Sequence, residues 1–422
     1  MRKTLVVIVL VLASCGGAKA SPSADSVPAV ETTVAPPETA STSIVAQPTD
    51  DVQGAFPPRL ALTTKDSEIV TFSPHADPVS TWGVVSPNGN VAATTLFADG
   101  KTTIRWHDLR TDAITAEVTI EGEFRPTAVE QSGKIVALID PRDRSTTVVL
   151  ATPDKGEMRR WTFSAVVVPE AFANAFTPEG NGLPIGVFVI EYLAADTYRV
   201  RVIDTATGDL GLPLNLRDKS QTVDEVMTAV SRTAVFEPSH QLLFTLYQDA
   251  TEGGEDLGAF IHTLGLINGV WCLDVPPELG LADHPGALAV SPDGSRLYAA
   301  SSVGGIGMFR IGDLTETSDA MPAARATAAL GSKASRVAIG ASADEVVVAL
   351  DGAIYRLDPI TLEVRESFDW DMSVEALTVL PDDSIVIAGT GRMTMVSPDQ
   401  RLLAERPLPS LTEEVTRLAV VD

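Results

Sequence analysis

The sequence predicts an all-β chain built from repeated strand–turn–strand units, and three observations carry that prediction. The first is the stretch from His284 to Ser301. A short apolar run, Ala287 to Val290, is followed by Ser291-Pro292-Asp293-Gly294 and a returning run, Arg296 to Ser301. Proline fixes φ at the corner of such a turn and glycine accepts φ > 0 after it. The second is recurrence. Weaker copies open at Val84-Val85-Ser86-Pro87-Asn88-Gly89, Ala128-Val129-Glu130-Gln131-Ser132-Gly133, Ala175-Phe176-Thr177-Pro178-Glu179-Gly180, Val235-Phe236-Glu237-Pro238-Ser239, Ile339-Gly340-Ala341-Ser342-Ala343-Asp344 and Val379-Leu380-Pro381-Asp382-Asp383. A period of roughly 40 to 60 residues is that of a propeller or a solenoid. The third is a second turn signature, Asp108-Leu109-Arg110-Thr111, Asp204-Thr205-Ala206-Thr207-Gly208 and Asp358-Pro359-Ile360-Thr361. An Asp side chain accepts backbone N–H bonds two residues on, closing the hairpin between the third and fourth strands of a unit.

The strands themselves are short and β-branched, as in Val200 to Ile203 and Glu345 to Leu350, and no long helical period competes with them. Val202 to Gly208 and Ala289 to Tyr298 resemble the two halves of the YVTN-type β-propeller repeat, a relative of WD-repeat propellers. The resemblance covers about residues 57–422 and is sharp in two units. It implies four-stranded blades around a central channel. Thr416 to Val421 reads as a lone innermost strand, whereas Arg59 to Thr63 and Glu68 to Phe72 read as outer strands without one. Joined, they make one composite blade that closes the ring with both ends of the domain. The expected fold is therefore a propeller of seven or eight blades. The count favours eight, and the long units at about 168–216 and 225–275 are where a misreading would reduce it to seven.

The N-terminal region reads as an address. Arg2 and Lys3 form a short positive segment, and Leu5 to Leu12 an apolar one too short for a stable transmembrane span. Leu12-Ala13-Ser14-Cys15 resembles a bacterial lipobox. That resemblance implies cleavage before Cys15 and lipidation of its thiol and new amine. The division expected is a signal peptide at 1–14, the lipidated Cys15 with a disordered Ala/Ser/Thr/Pro-rich tether at 15–56, and the propeller at 57–422. A flexible coil of about 40 residues spans roughly 35 Å on average. The expected location is the bacterial cell membrane, lipid-anchored and facing the extracytoplasmic side.

Composition narrows the partners. A formal net charge of -25 over 422 residues argues against nucleic acid, which needs a basic surface, and against broad docking on anionic lipid. Cys15 and Cys272 are the two cysteines, so lipidation of Cys15 leaves no internal disulfide; Cys272 reads as a buried, inert strand thiol. The five histidines lack metal-ligand spacing, and G-x-S-x-G, P-loop, C-x-x-C and calcium-loop motifs are missing. No catalytic residue, metal or cofactor is expected. Thr251 to Asp256 is acidic and glycine-rich, and reads as a long loop between strands, either solvated or open to a cation or basic partner.

One pattern points to a binding site. Six positions before each turn proline, or its equivalent, stand Arg125, Arg232 and Arg336, with Arg417 one place off in the composite blade. Thr81-Trp82, Phe172, Gly286 and Glu375 stand at this position in other units, with His284-Pro285 just before it. At the starts of innermost strands these residues would gather near one mouth of the channel. Convergent guanidiniums suit carboxylate or phosphate, with Trp82, Phe172 and His284 as walls and Glu375 as a partner charge. The alternative is that each arginine pairs locally with an acidic neighbour. Function is expected in one of three classes: a non-enzymatic module binding an envelope protein, a glycan or a small anionic ligand; a lactonase-like extracytoplasmic hydrolase; or a scaffold of an envelope complex.

Overall fold

The structure, a computed structural model, describes residues 60–420 apart from 65–67, 73–78, 112, 143, 174–185, 195–196, 219, 229–230, 253–254, 268, 316–322, 332–333, 390 and 409–414. The signal peptide, Cys15 and the tether lie outside the described residues.

The chain is a β-propeller. Its strands form seven antiparallel hydrogen-bonded sheets, one of them seven-stranded. That sheet divides within Val79–Val85: Val79 to Trp82 pair with Glu68–Phe72, whereas Gly83 to Val85 pair with Val91–Ala98. Blade 1 is thus the composite, Val415–Val420, Leu60–Thr64, Glu68–Phe72 and the first half of Val79–Val85. Blade 2 takes the second half with Val91–Ala98, Lys101–Asp108 and Ala113–Glu121. Blade 3 is Arg125–Val129, Val136–Arg142, Ser145–Thr152 and Gly156–Phe163. Blade 4 is Val166–Ala173, Gly186–Tyr192 and Thr197–Asp204, with an outer strand split into Leu210–Gly211 and Met227–Thr228. Blade 5 is Ser231–Glu237, Leu242–Glu252, Glu255–Gly265 and Gly269–Asp274. Blade 6 is Gly286–Val290, Arg296–Ser301, Gly305–Arg310 and Ala326–Ala329. Blade 7 is Val337–Ala341, Val346–Leu350, Gly352–Leu357 and Val364–Trp370. Blade 8 is Ala376–Val379, Ile385–Gly389, Arg392–Val396 and Leu402–Pro407.

Packing between sheets gives the same count and closes the ring. Among the described residues there are eight apolar clusters, each shared by two successive blades. Leu60 and Leu418 of blade 1 pack into blade 8, while Ala61 and Ile69 pack against Ala92 and Leu109 of blade 2. Middle strands are consequently apolar on both faces. Val346, Val348 and Leu350 enter the core toward blade 6, and Val347 and Ala349 the core toward blade 8. Alternation of this kind, apolar on each side, is what a strand sandwiched between two sheets requires. The composite closure is also in the pairing, with Leu60 opposite Val420 and Thr63 opposite Arg417.

The turns do what their residues dictate. Ser291 Oγ donates to Asp293 Oδ1 at 2.6 Å and accepts the Arg296 N–H at 2.9 Å, while Gly294 takes φ 67°. The Ser291 hydroxyl, together with the Ser295 N–H and hydroxyl, holds the Asp293 carboxyl down at about 2. Ser86 and Asn88 repeat the arrangement in blade 2, and Ser397 and Asp399 repeat it at the third turn of blade 8. In the second signature, Asp358 Oδ1 accepts the Ile360 and Thr361 N–H groups at 2.9 and 2.8 Å, which holds that carboxyl at about 2. Asp204 and Asp108 accept in the same way.

The two long units are single blades, each enlarged for its own reason. In blade 4 the outer strand is interrupted between Gly211 and Met227, and the inserted segment crosses to blade 5. There the Leu216 N–H donates to the Val270 carbonyl and the Val270 N–H to the Leu214 carbonyl, both at 2.8 Å. In blade 5 the two middle strands are eleven residues each. Thr251, Glu252, Glu255 and Asp256 therefore belong to the end of a hairpin, not to a loop between strands.

Candidate functional site

Each blade holds an even number of antiparallel strands, so every innermost strand runs the same way along the axis. One end of the ring, the start face, carries the beginnings of the innermost strands. The other, the turn face, carries the Ser291-type and Asp358-type turns. Leu60, where the first described strand begins, pairs with Val420 near the end of its innermost neighbour, so the chain enters the ring at the turn face.

Arg125 is the first residue of the blade 3 innermost strand; its side chain is exposed and has no hydrogen-bond or ion-pair partner among the described residues. Arg336 and Glu375 immediately precede the innermost strands of blades 7 and 8. Arg336 Nη1 donates to Glu375 Oε1, an ion pair across the seam between those blades. Arg336 thus follows the local-pairing alternative. Arg232 is the second residue of the blade 5 innermost strand, opposite Tyr247, and Arg417 lies in the blade 1 innermost strand, opposite Thr63. The side chains of Arg232 and Arg417 lie outside the described residues, as does that of Trp82. Trp82 sits in the half of its strand that pairs with Glu68, rather than in the innermost half.

Two expected wall residues have other duties. Phe172 is fully buried in the core between blades 3 and 4. The bulge between Pro169 and Ala171 shifts the register ahead of it, and a one-residue shift moves a side chain to the other face of a strand. His284 is exposed two residues ahead of Gly286, and it is fixed through its carbonyl, which accepts from Gln248 Nε2.

With the blades numbered, a regularity appears that the one-dimensional spacing does not express. Arg417, Arg125, Arg232 and Arg336 belong to blades 1, 3, 5 and 7. Each lies just ahead of, or among the first three residues of, its innermost strand.

Other polar groups are buried away from this mouth. His262 of blade 5 is wholly buried, which lowers its pKa to about 4. It stands opposite Cys272 on the neighbouring strand, whose Sγ lies 3.8 Å from Glu225 Oε2 of the blade 4 insert. On the other face of blade 4, Arg201 bonds Asp224 at 2.6 Å and lies 3.3 Å from Glu191, while Arg199 bonds Glu191 at 2.6 Å. The sequence reading missed this network. The alternation of Arg199 and Arg201 was its only local signal, and the insert's Asp224 arrives from outside the repeat. Among the described residues, no three His, Cys, Asp or Glu side chains stand together as metal ligands.

No family model matches the chain, and no curated protein matches it. Solved structures are similar to it at low identity. The dihydro-heme d1 dehydrogenase NirN, solved in complex with DHE, is 14% identical with a TM-score of 0.49, over 86% of this chain and 75% of that one. Sqt1 of Saccharomyces cerevisiae is 12% identical with a TM-score of 0.48, over 82% and 86%. The β-propeller domain of Cps50 (Swd1) from Myceliophteria thermophila is 11% identical with a TM-score of 0.40, over 76% and 93%.

Proposed function

We propose that this chain is a lipid-anchored, extracytoplasmic β-propeller that works as a binding module for an envelope protein, a glycan or a small anionic ligand. The observation that carries the reading is the entry of the chain at the turn face, at Leu60, with the lipobox-like Leu12-Ala13-Ser14-Cys15 ahead of it. A tether leaving from that face directs the opposite, start-face mouth away from the membrane. The turn face is built from carboxylates such as Asp204, Asp293, Asp344, Asp358 and Asp382, and a tether of about 40 residues holds it beyond a Debye length of ~8 Å from anionic lipid. A lactonase-like hydrolase would need free carboxylates at the channel mouth, and Glu375 is engaged by Arg336 there.

The test is fractionation of cells producing the full chain and its Cys15→Ser variant, with mass spectrometry of the N-terminal peptide. Anchoring predicts a diacylglycerol-modified Cys15 and a membrane-bound chain, and a Cys15→Ser chain that loses the lipid. An unmodified Cys15 in a chain that fractionates with soluble proteins overturns the anchor.

A further inference from the structure

We propose that the segment inserted in the outer strand of blade 4, residues 212–226, is a strap that opens and closes as one unit on the intact ring, latched by Asp224 against Arg199 and Arg201, and that it controls access to the outer edge of blade 5 and to Cys272. Such a strap goes beyond the binding-module reading and stands or falls without it.

The strap is a hairpin of its own. The Asn215 N–H donates to the Gln221 carbonyl at 2.8 Å, and the Val223 N–H to the Pro213 carbonyl at 2.9 Å. Asn215 Oδ1 accepts the Arg217 and Asp218 N–H groups near the tip, both at 2.9 Å. Each end of the strap is a short hinge. Leu210–Gly211 and Met227–Thr228 pair only two residues each with the third strand of blade 4, and the exposed Leu212 and Val226 adjoin them. Among the described residues of the strap, Pro213 and Arg217 are the two that are buried. Leu216 and Val223 reach the margins of the cores on the two sides of blade 5, and both are half-buried. Local opening costs little where few apolar groups are buried, so the strap lifts without parting the blades.

The latch is electrostatic. Arg199 and Arg201 stand two positions apart in the third strand of blade 4, with side chains 30% and 7% exposed. Two carboxylates balance them. Glu191, from the neighbouring strand, lies 2.6 Å from Arg199 and 3.3 Å from Arg201. Asp224, from the strap, bonds Arg201 at 2.6 Å and lies 3.6 Å from Arg199. On the blade 5 side, Cys272 and Asp274 lie on the outermost strand and the buried His262 on the next. Without Asp224, one carboxylate faces two guanidiniums. A buried charge that loses its partner is costly, and water reaches Arg201 once the strap lifts. Removing Asp224 therefore favours the open strap.

The closed strap covers two features of blade 5. It adds a parallel strand to the outermost strand, Gly269–Asp274, exchanging main-chain bonds with Val270 through Leu214 and Leu216. The Arg217 guanidinium lies 5.0 Å from the centre of the Trp271 ring. Uncovered, that strand presents main-chain donors and acceptors, as any sheet edge does. Glu225 Oε2 lies 3.8 Å from Cys272 Sγ, and Cys272 is 8% exposed. Opening bares the edge and the thiol together.

The experiment is amide hydrogen exchange and iodoacetamide alkylation on the full chain in detergent at neutral pH, both read by mass spectrometry. The strap amides are those of Asn215, Leu216 and Val223, and those of Val346–Leu350 in blade 7 serve as the reference. In the wild type the strap amides should exchange roughly tenfold faster than the reference, or more. Asp224→Ala should raise strap exchange and alkylation of Cys272 by about tenfold or more, through loss of a hydrogen bond between charged groups, and leave the reference unchanged. Asp224→Glu keeps the charge and should restore most of the protection. Glu117→Gln, which removes a carboxylate from the exposed pair with Arg105, should behave as the wild type. Strap amides as slow as the reference, strap amides unaffected by Asp224→Ala, or strap and reference amides accelerated together, overturn the strap as a separate unit. Faster strap exchange without faster alkylation of Cys272 overturns its control of that thiol.

Discussion

The seam between blades 6 and 7 and the seam between blades 4 and 5 solve one packing problem in two ways. The first is regular. Ile306, Met308, Val346, Val348 and Leu350 meet from two similar sheets, and Tyr298 crosses the seam to donate its hydroxyl to the Pro359 carbonyl at 2.9 Å. That carbonyl belongs to the Asp358 turn, so the repeat's two signature turns are coupled from one blade to the next. The second seam is irregular. Its core mixes Tyr198, Tyr247 and Phe260 with the buried His262 and Cys272, and a segment inserted in blade 4 brings Glu225 to it. Tyr247 stacks on Phe260 with ring centroids 5.2 Å apart, and its ring also meets His262 edge-on. The repeat thus supplies a default seam of apolar side chains. Departures from the repeat bring in groups whose charge depends on pH.

The largest expected effect is in the regular seam. Tyr298→Ala should cost ~3–5 kcal/mol, as large buried aromatics do when truncated, read by chemical denaturation. Tyr247→Ala should cost less, because the insert over its seam can settle into the space. Equal losses would remove the distinction between the two seams.

Next comes pH. Burial holds the His262 pKa at about 4 in the folded chain, against an ordinary 6.5, so the unfolded chain binds the proton first as pH falls. Stability is therefore lost from about pH 6.5 down to 4, amounting to roughly 3 kcal/mol. His262→Gln should flatten unfolding free energies measured at pH 7 and pH 4.5. A wild-type slope retained in the variant would place the sensitivity outside this seam.

Tyr298→Phe keeps the ring and removes one hydrogen bond, so about 1 kcal/mol is expected. A double-mutant cycle with Asp358→Ala would measure the coupling between blades. Asp293 and Asp358, both held at about 2, contribute stability that is fully present above their ordinary carboxylate range. It is lost as pH falls from about 4 toward 2. Solvent screening reduces each contribution to roughly 1 kcal/mol, so Asp358→Ala should be the mildest of these changes at neutral pH and nearly silent at pH 2.

Much of the ring is legible because turn chemistry is local. Ser291 to Arg296, or Asp358 to Thr361, fixes a hairpin with residues a few positions apart, and counting such hairpins yields eight blades. The composite blade is legible for the same reason, since an unpartnered innermost strand and two unpartnered outer strands must meet. The side-chain arrangement at the mouth is less so. Whether Phe172 faces the channel or the core depends on the bulge after Pro169, which no residue type announces. The pairing of Arg336 with Glu375 spans 39 positions and depends on how two blades are offset across their seam. The inserted segment of blade 4 escapes for a third reason. Its edge pairing to Val270 uses main-chain atoms, which any sequence can offer.

The composite blade also has a mechanical consequence. Leu60–Thr64 lies between Val415–Val420 on one side and Glu68–Phe72 on the other, antiparallel to both. A pull on the chain ahead of Leu60, directed along that strand, loads two ladders of hydrogen bonds in shear at once, so they resist together instead of opening one after another. A ring held at a surface by its N-terminal end would transmit drag on its free face to the blade that both ends of the domain hold shut.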